Sequence, residues 1–544
     1  MTTAPPPRPP VDPRPALPRP AGPHSQLAPQ SVARPAAQPS VWERRWPGAT
    51  GAARPVVLGA VAVAAGVSAS VVPMDRPGLG WLVATVAGAT ALGTAGSPQV
   101  GVPDESGTTA GAGAVARPGA TGASGRAARL AWAVATVALV GVGTVRAAGW
   151  LFALCLLAAV GTASLAVAGG RTPLGLLTAG VLPPIAGVRA LPWAVRGLPR
   201  PRTRPDGPSV GRSLVSLGVT AVLLLLFGLL FSSADAVFAG LVADALPDVS
   251  TVGVSGWLLR LLLVGAVLLG GAYLLAAPPD LELRTGPARA VRRLEWVLPL
   301  ALLDVLFAAF VLVQLTVLFG GSDHVLGTAG LTYAEYARGG FWQLLAVSAL
   351  TLLVIAGAMR WAPRGTGADR ALIRVLIGGL TVLSLVVVAS ALYRMRVYTD
   401  AYGVTRLRLV VATVELWLGL LFVLVGVATV RLRGAWLPRL VLGAGVVALL
   451  GLAVVNPDRL IADRNVDRWQ RIDRLDVEYL SRLSADAVPA LDRLPEPMRS
   501  CALREIAAQL PEDGWRAANV GRAQARAVLG RVEADATGCP YRHP

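Results

Sequence analysis

Residues 296–343 read WVLPLALLDVLFAAFVLVQLTVLFGGSDHVLGTAGLTYAEYARGGFWQ. A full-length apolar helix is followed by a short polar excursion and the start of a second apolar helix. At about 1.5 Å per residue, 296–319 is long enough to cross a hydrocarbon core. Asp304 is the anomaly within it. A charged Asp at the centre of a membrane helix costs about 2.5 to 3.5 kcal/mol on insertion scales, so such a side chain faces protein or water rather than lipid.

The rest of the chain repeats this pattern. Its 544 residues are 54% hydrophobic and 15% charged, with a mean hydropathy of +0.58. That is too apolar for a soluble domain and too long for a single anchor, so the composition is that of a multi-pass membrane protein. The net charge of +18 comes entirely from arginine, since the chain has no lysine. It falls on the N-terminal tail and on alternate inter-helix loops, which is the positive-inside pattern and calls for no nucleic-acid partner. The three cysteines and three histidines form no CxxC or Cys/His cluster, so neither a metal site nor a cofactor is expected.

Residues 1–54 are rich in Pro and Arg and cannot bury a core; a disordered cytoplasmic tail is expected, uncleaved because no early apolar run provides a signal peptide. Trp42 and Trp46 have the look of an interfacial anchor. Residues 55–200 hold small-residue-rich helices at about 55–73, 79–96, 129–145 and 148–169, with a mobile linker over 97–128. Pro183 and Pro184 interrupt the next apolar run. A crossing there would put the basic stretch after it on the outside, so a broken re-entrant or interfacial helix is expected over 172–199, with a twelfth span as the alternative. Further helices are expected at about 213–231, 256–276, 296–319, 341–361, 371–392, 407–430 and 436–455, and these complete the bundle over 201–457. The fold class is all-α: a polytopic transmembrane bundle of 11 to 12 helices, N-terminus inside. Acidic and basic residues balance in 458–544, which reads as a small helical extracytoplasmic domain. A hairpin of its last two helices would bring Cys501 near Cys539, and a disulfide would suit an oxidising compartment.

Several phrases carry a likeness: LFSSADAVFAGLV (230–242), LLDVLFAAFVLVQLTVLFGG (302–321), LTYAEYARGGFWQL (331–344), YRMRVYTDAYGVTRLR (393–408), NPDRLIADRNVDR (456–468) and LDVEYLSRLSADAVPAL (475–491). In this order the chain resembles the bacterial membrane proteins of domain of unknown function 4153/4173, over roughly residues 210–495. The resemblance implies an integral membrane protein and supplies no activity, cofactor or catalytic residue.

Two constellations could carry chemistry. Asp304, Gln314 and Glu415 are polar groups inside expected spans and can be read as rungs of a proton or cation path; equally, Asp304 can bond a neighbouring helix and Glu415 can pair with Arg260 or Arg408. Arg394, Arg396, Arg406 and Arg408, interleaved with tyrosines at an outer loop, can hold an anionic lipid or envelope polymer, or simply snorkel to the interface. Among enzyme signatures, GxSxG, HExxH and the Walker lysine are missing. The expected partners are the bilayer, an anionic lipid or envelope polymer, and a membrane protein. The functions in view are transport, an envelope-related role or a signalling partnership, with a membrane enzyme or binding protein acting on an anionic lipid or lipid-linked polymer as the alternative.

Overall fold

The computed structural model describes residues 46–49, 51–96, 123–170, 173–198, scattered positions in 220–238, 251–279, 291–319, 341–510 and 512–531. Expectations for the tail before Trp46, for 97–122, for most of the helix at about 213–231, for the 320–340 loop and for Cys539 fall outside these residues. Among the described residues every regular element is helical, and nine helices are long and apolar enough to cross a membrane.

The elements are α1 (Pro55–Val71), α2 (Leu79–Gly96), α3 (Ala123–Val145), α4 (Gly149–Ala168), α5 (Pro173–Gly197), α6 (Thr251–Ala276), α7 (Arg293–Phe319), α8 (Phe341–Trp361), α9 (Gly367–Tyr402), α10 (Arg406–Arg431) and α11 (Leu437–Val455). The tail adds α12 (Pro457–Ile472), α13 (Val477–Ser481), α14 (Val488–Leu491), α15 (Met498–Ala508) and α16 (Val520–Leu529). Small residues let these helices close up. α1, α2, α5 and α6 share one core, from Val57 and Val61 to Ala186 and Ala272. α7, α8, α9 and α10 share another, centred on Ile377, Leu380 and Phe422. α11 joins the two, lying against α10 on one side and against α3 and α4 on the other.

Polar contacts at the helix ends sort the bundle into two faces. At one face Arg54 donates to the carbonyls of Thr94 and Ala95, Arg293 pairs with Asp369 at 2.8 Å, and Arg439 donates to Gly170 O at 3.0 Å. This basic face holds the start of α1, α7, α9 and α11 and the end of α2, α4, α6 and α10. At the other face Arg146 donates to Ala453 O at 2.6 Å and the tail begins. Trp46 is buried at the basic face, its indole donating to Ala277 O at 2.8 Å with the Arg189 guanidinium 4.9 Å over the ring.

α5 runs unbroken through Pro183 and Pro184, which corrects the expected interruption. Neighbouring backbone can accommodate groups that a proline leaves without a helical partner, and here α6 comes very close: a Cβ on Gly270 would stand 2.7 Å from both Gly187 N and Pro183 O. The helix starts beside Gly170 and its last turn meets Ala53, where the Ala53 amide donates to Trp193 O at 3.1 Å. Both ends therefore lie at the basic face. A single cysteine at exposed Leu198, on a background with Cys155, Cys501 and Cys539 replaced by Ser, is expected to react from the same membrane side as one at Gly365 and from the opposite side to one at Arg504. Labelling together with the Arg504 probe would mean that α5 crosses.

Candidate functional site

Among the described residues, the densest polar construction lies where the tail meets the bundle. α12 starts directly after α11, with Asn456 between them at a φ of 57°. This turn carries Asp458 into the joint, where it is 0% exposed. Arg406, at the start of α10, donates from Nε to Asp458 Oδ1 at 3.0 Å and from Nη2 to Oδ2 at 2.6 Å. Trp150, in the first turn of α4, donates to Oδ1 at 3.1 Å, and the Ser484 amide donates to Oδ2 at 2.9 Å. One carboxylate thus ties both halves of the bundle to the tail. Burial opposes its charge, but the bonds from Arg406 and Ser484 outweigh that effect and hold the carboxyl below its ordinary value.

Three bundle turns receive the tail. At 146–149, Asp486 Oδ2 accepts from the amides of Ala147 at 2.7 Å and Ala148 at 3.1 Å, capping α4 from a distant part of the chain. Asn519 Nδ2 donates to Gly143 O and Arg146 O, each at 2.8 Å, at the close of α3. At 400–406, Arg468 donates to Asp400 O and Ala401 O, Asn465 brackets the backbone of Val404, and the Arg406 amide donates to the Tyr479 hydroxyl at 2.7 Å. At 77–79, Arg522 donates to Pro77 O at 2.9 Å and the Leu79 amide donates to Ala518 O at 3.1 Å. Beneath these contacts the tail has its own apolar core, with Ile461, Val466, Leu480, Leu491 and Leu503 buried. Burial pushes the Asp486 carboxyl up, against the two amides that favour its charge.

The arginines of the 393–408 stretch occupy helix ends. Arg394 donates to Gln314 Oε1 at 2.6 Å, Arg406 is taken by Asp458, and Arg408 donates to the carbonyls of Tyr402 and Gly403 with its guanidinium 4.3 Å over the Tyr398 ring. Arg396 lies on the last turns of α9.

The intramembrane groups are divided by α9. Asp304 lies against Gly379, and Gln314 meets Ser390 and Arg394. Gly419 and Gly426 of α10 meet α9 at Val388 and Thr381 instead. At about 100° per residue, positions 379, 390 and 394 share one face of α9, while 381 and 388 lie roughly opposite. Glu415 is one turn from Gly419 on the same stripe of α10. Asp304 and Gln314 are therefore on one side of α9 and Glu415 on the other. Gln314 and Glu415 are nearly level; Asp304 is about 15 to 20 Å further toward the basic face. Glu415 is 1% exposed, and neither of its oxygens has a hydrogen-bond partner; Asp304 Oδ1 is likewise unpartnered. Arg260 is bonded to Val72 O and Gly256 O.

No sequence signal marks Asp458, Asp486 or Asn519 as special: each is a polar residue in a polar tail. The one available clue is the phrase NPDR, in which a helix-breaking Asn–Pro step places a carboxylate at the mouth of the last span.

Fold and joint together define a polytopic α-helical membrane bundle carrying a docked helical tail. The chain belongs to the family described as Domain of unknown function (DUF4153), which it matches over residues 134–494. That range begins within α3, well before residue 210, and takes in Trp150, Arg406, Asp458, Ser484 and Asp486, while Asn519 and Arg522 lie beyond it. No curated protein and no solved structure matches the chain.

Proposed function

We propose that this is a non-enzymatic membrane scaffold of the bacterial cytoplasmic membrane, with an envelope-related or signalling-partner role, whose extracytoplasmic tail is the presenting surface. The observation that carries the reading is the Asp458 joint, which fixes the tail to both halves of the bundle at once. A tail held by that many buried polar bonds is a rigid platform rather than a tethered module. Its placement outside follows from the arginines at the opposite face, which belong inside by the charge rule. A continuous polar path has less support, because α9 stands between Asp304 and Glu415. An anion site on the four arginines is also less supported, since three of them already bond protein groups.

A photo-crosslinker at exposed Arg504 or Glu478 in native membranes is expected to give a discrete adduct with another membrane or envelope component. With Asp304→Asn and Glu415→Gln, that adduct is expected to be unchanged. No adduct, together with loss of a proton-linked uptake phenotype in those two variants, would replace the scaffold reading with a transport one.

A further inference from the structure

The tail meets the bundle at a second level, that of the lipid headgroups. The short 3-10 turn Trp515–Ala517 sits on the first residue of a membrane-spanning helix: the Leu79 amide donates to Ala518 O, and a Cβ on Gly78 would stand 2.5 Å from the Ala517 backbone. The contact leaves no room for a side chain at position 78 and seats the turn directly on the mouth of α2. Trp81, two residues into that helix, donates its indole N–H to Pro73 O at 3.0 Å, and Trp257 donates to Ser70 at the end of α1. Indoles at the ends of spans mark the membrane–water boundary.

At this level the chain turns apolar side chains outward. Trp515 is 57% exposed, Val520 50% and Met74, on the neighbouring 72–78 turn, 70%. Trp515 and Val520 of the tail and Met74 of the 72–78 turn are thus exposed apolar side chains on the two segments that meet here, which suits an amphipathic layer. Charges of both signs surround them, and Arg76 is bonded to Asp75 at 2.5 Å. Asp513 is buried between Arg522 at 2.9 Å and Arg526 at 3.0 Å, with Arg76 at 3.7 Å, and Arg516 stands over the Trp515 ring at 5.7 Å. Arg522 and Arg526 are thus taken by Asp513 and Arg76 by Asp75, while Arg516 lies beside the exposed indole.

We propose that residues 513–520, together with the 73–77 turn, are a membrane-interface anchor that seats Trp515 among phospholipid headgroups and sets Arg516 against their phosphates. The bilayer is the occupant because the contact to Leu79 fixes the height of the turn: an indole within three residues of the start of a span stays within about 10 Å of that level. Arginine supplies the planar donors that match a phosphate, and its stem can lie along the apolar side chains. The anchor would hold the tail flat against the leaflet and is independent of any partner the tail presents.

The test uses the full chain with Cys155, Cys501 and Cys539 replaced by Ser, in nanodiscs of phosphatidylglycerol and phosphatidylethanolamine, with an environment-sensitive fluorophore on Trp515→Cys and, separately, on Val520→Cys. The control is Arg504→Cys, on α15, which packs on other tail helices. Lipids spin-labelled at the headgroup are expected to quench the 515 and 520 probes several-fold more than the 504 probe, and aqueous iodide is expected to show the reverse order. If the probes at 515 and 520 respond to both quenchers as the probe at 504 does, the anchor does not exist. Two independent positions keep that outcome readable if either substitution perturbs the fold.

Discussion

Arg406→Gln is expected to lower the stability of the docked tail by about 3–5 kcal/mol, because it strands the Asp458 carboxylate in a dry joint with its charge uncompensated. Thermal unfolding in detergent should show an early transition, and limited proteolysis should cut the tail while the bundle survives. Trp150 and Ser484 would still donate to Asp458, but two neutral donors do not replace a bidentate guanidinium. The double variant Arg406→Met with Asp458→Asn removes the charge as well as its partner, and it is expected to recover part of the loss. Unchanged protease resistance in Arg406→Gln would mean that the tail is held elsewhere. The pH dependence has a defined sign. Asp458 is held below its ordinary value, so its contribution is intact above about pH 4 and is lost as pH falls through its folded-state value. Asp486, pushed up by burial, works the other way and contributes most when protonated.

Gly270→Val is expected to cost about 3 kcal/mol, at the upper end of overpacking effects, since the new side chain meets backbone at Gly187 and Pro183 rather than a movable side-chain tip. The two helices would have to part, taking α5 away from the core that includes Ala186, Ala190 and Ala272. Gly256→Val on the same helix is the control, because nothing lies within 4 Å of its Cβ position. A large drop in melting temperature for the first and little change for the second would establish α5 as a packed member of the bundle. Equal effects would place the cost in the loss of glycine from the helix and not in the contact.

The spans were legible because their cause is local. A run of twenty apolar residues needs lipid whatever its neighbours do, and arginine in alternate loops reports its own side. α5 was harder to read. Prolines at 183 and 184 predict a break from local rules, whereas the helix is held by a glycine contact from α6, more than eighty residues later. The candidate sites failed to assemble for the same reason. Arg406 and Arg408 look like free cations when the stretch 393–408 is read alone, yet their partners are a carboxylate fifty-two residues on and the carbonyls that close α9. Asp304 and Glu415 share a composition argument, but which face of α9 each one meets depends on helix rotation, which hydrophobic runs of this kind leave open on every side.

The Asp486 cap on α4 has a consequence for synthesis. The amides of Ala147 and Ala148 wait for an acceptor 338 or 339 residues further along the chain. At about 5–20 residues per second the ribosome delivers it roughly 20–70 s after α4 is made. During that interval the nascent bundle carries two open donors at its surface. A chain released before residue 486 lacks this acceptor, so the start of α4 is completed only when the tail has been made.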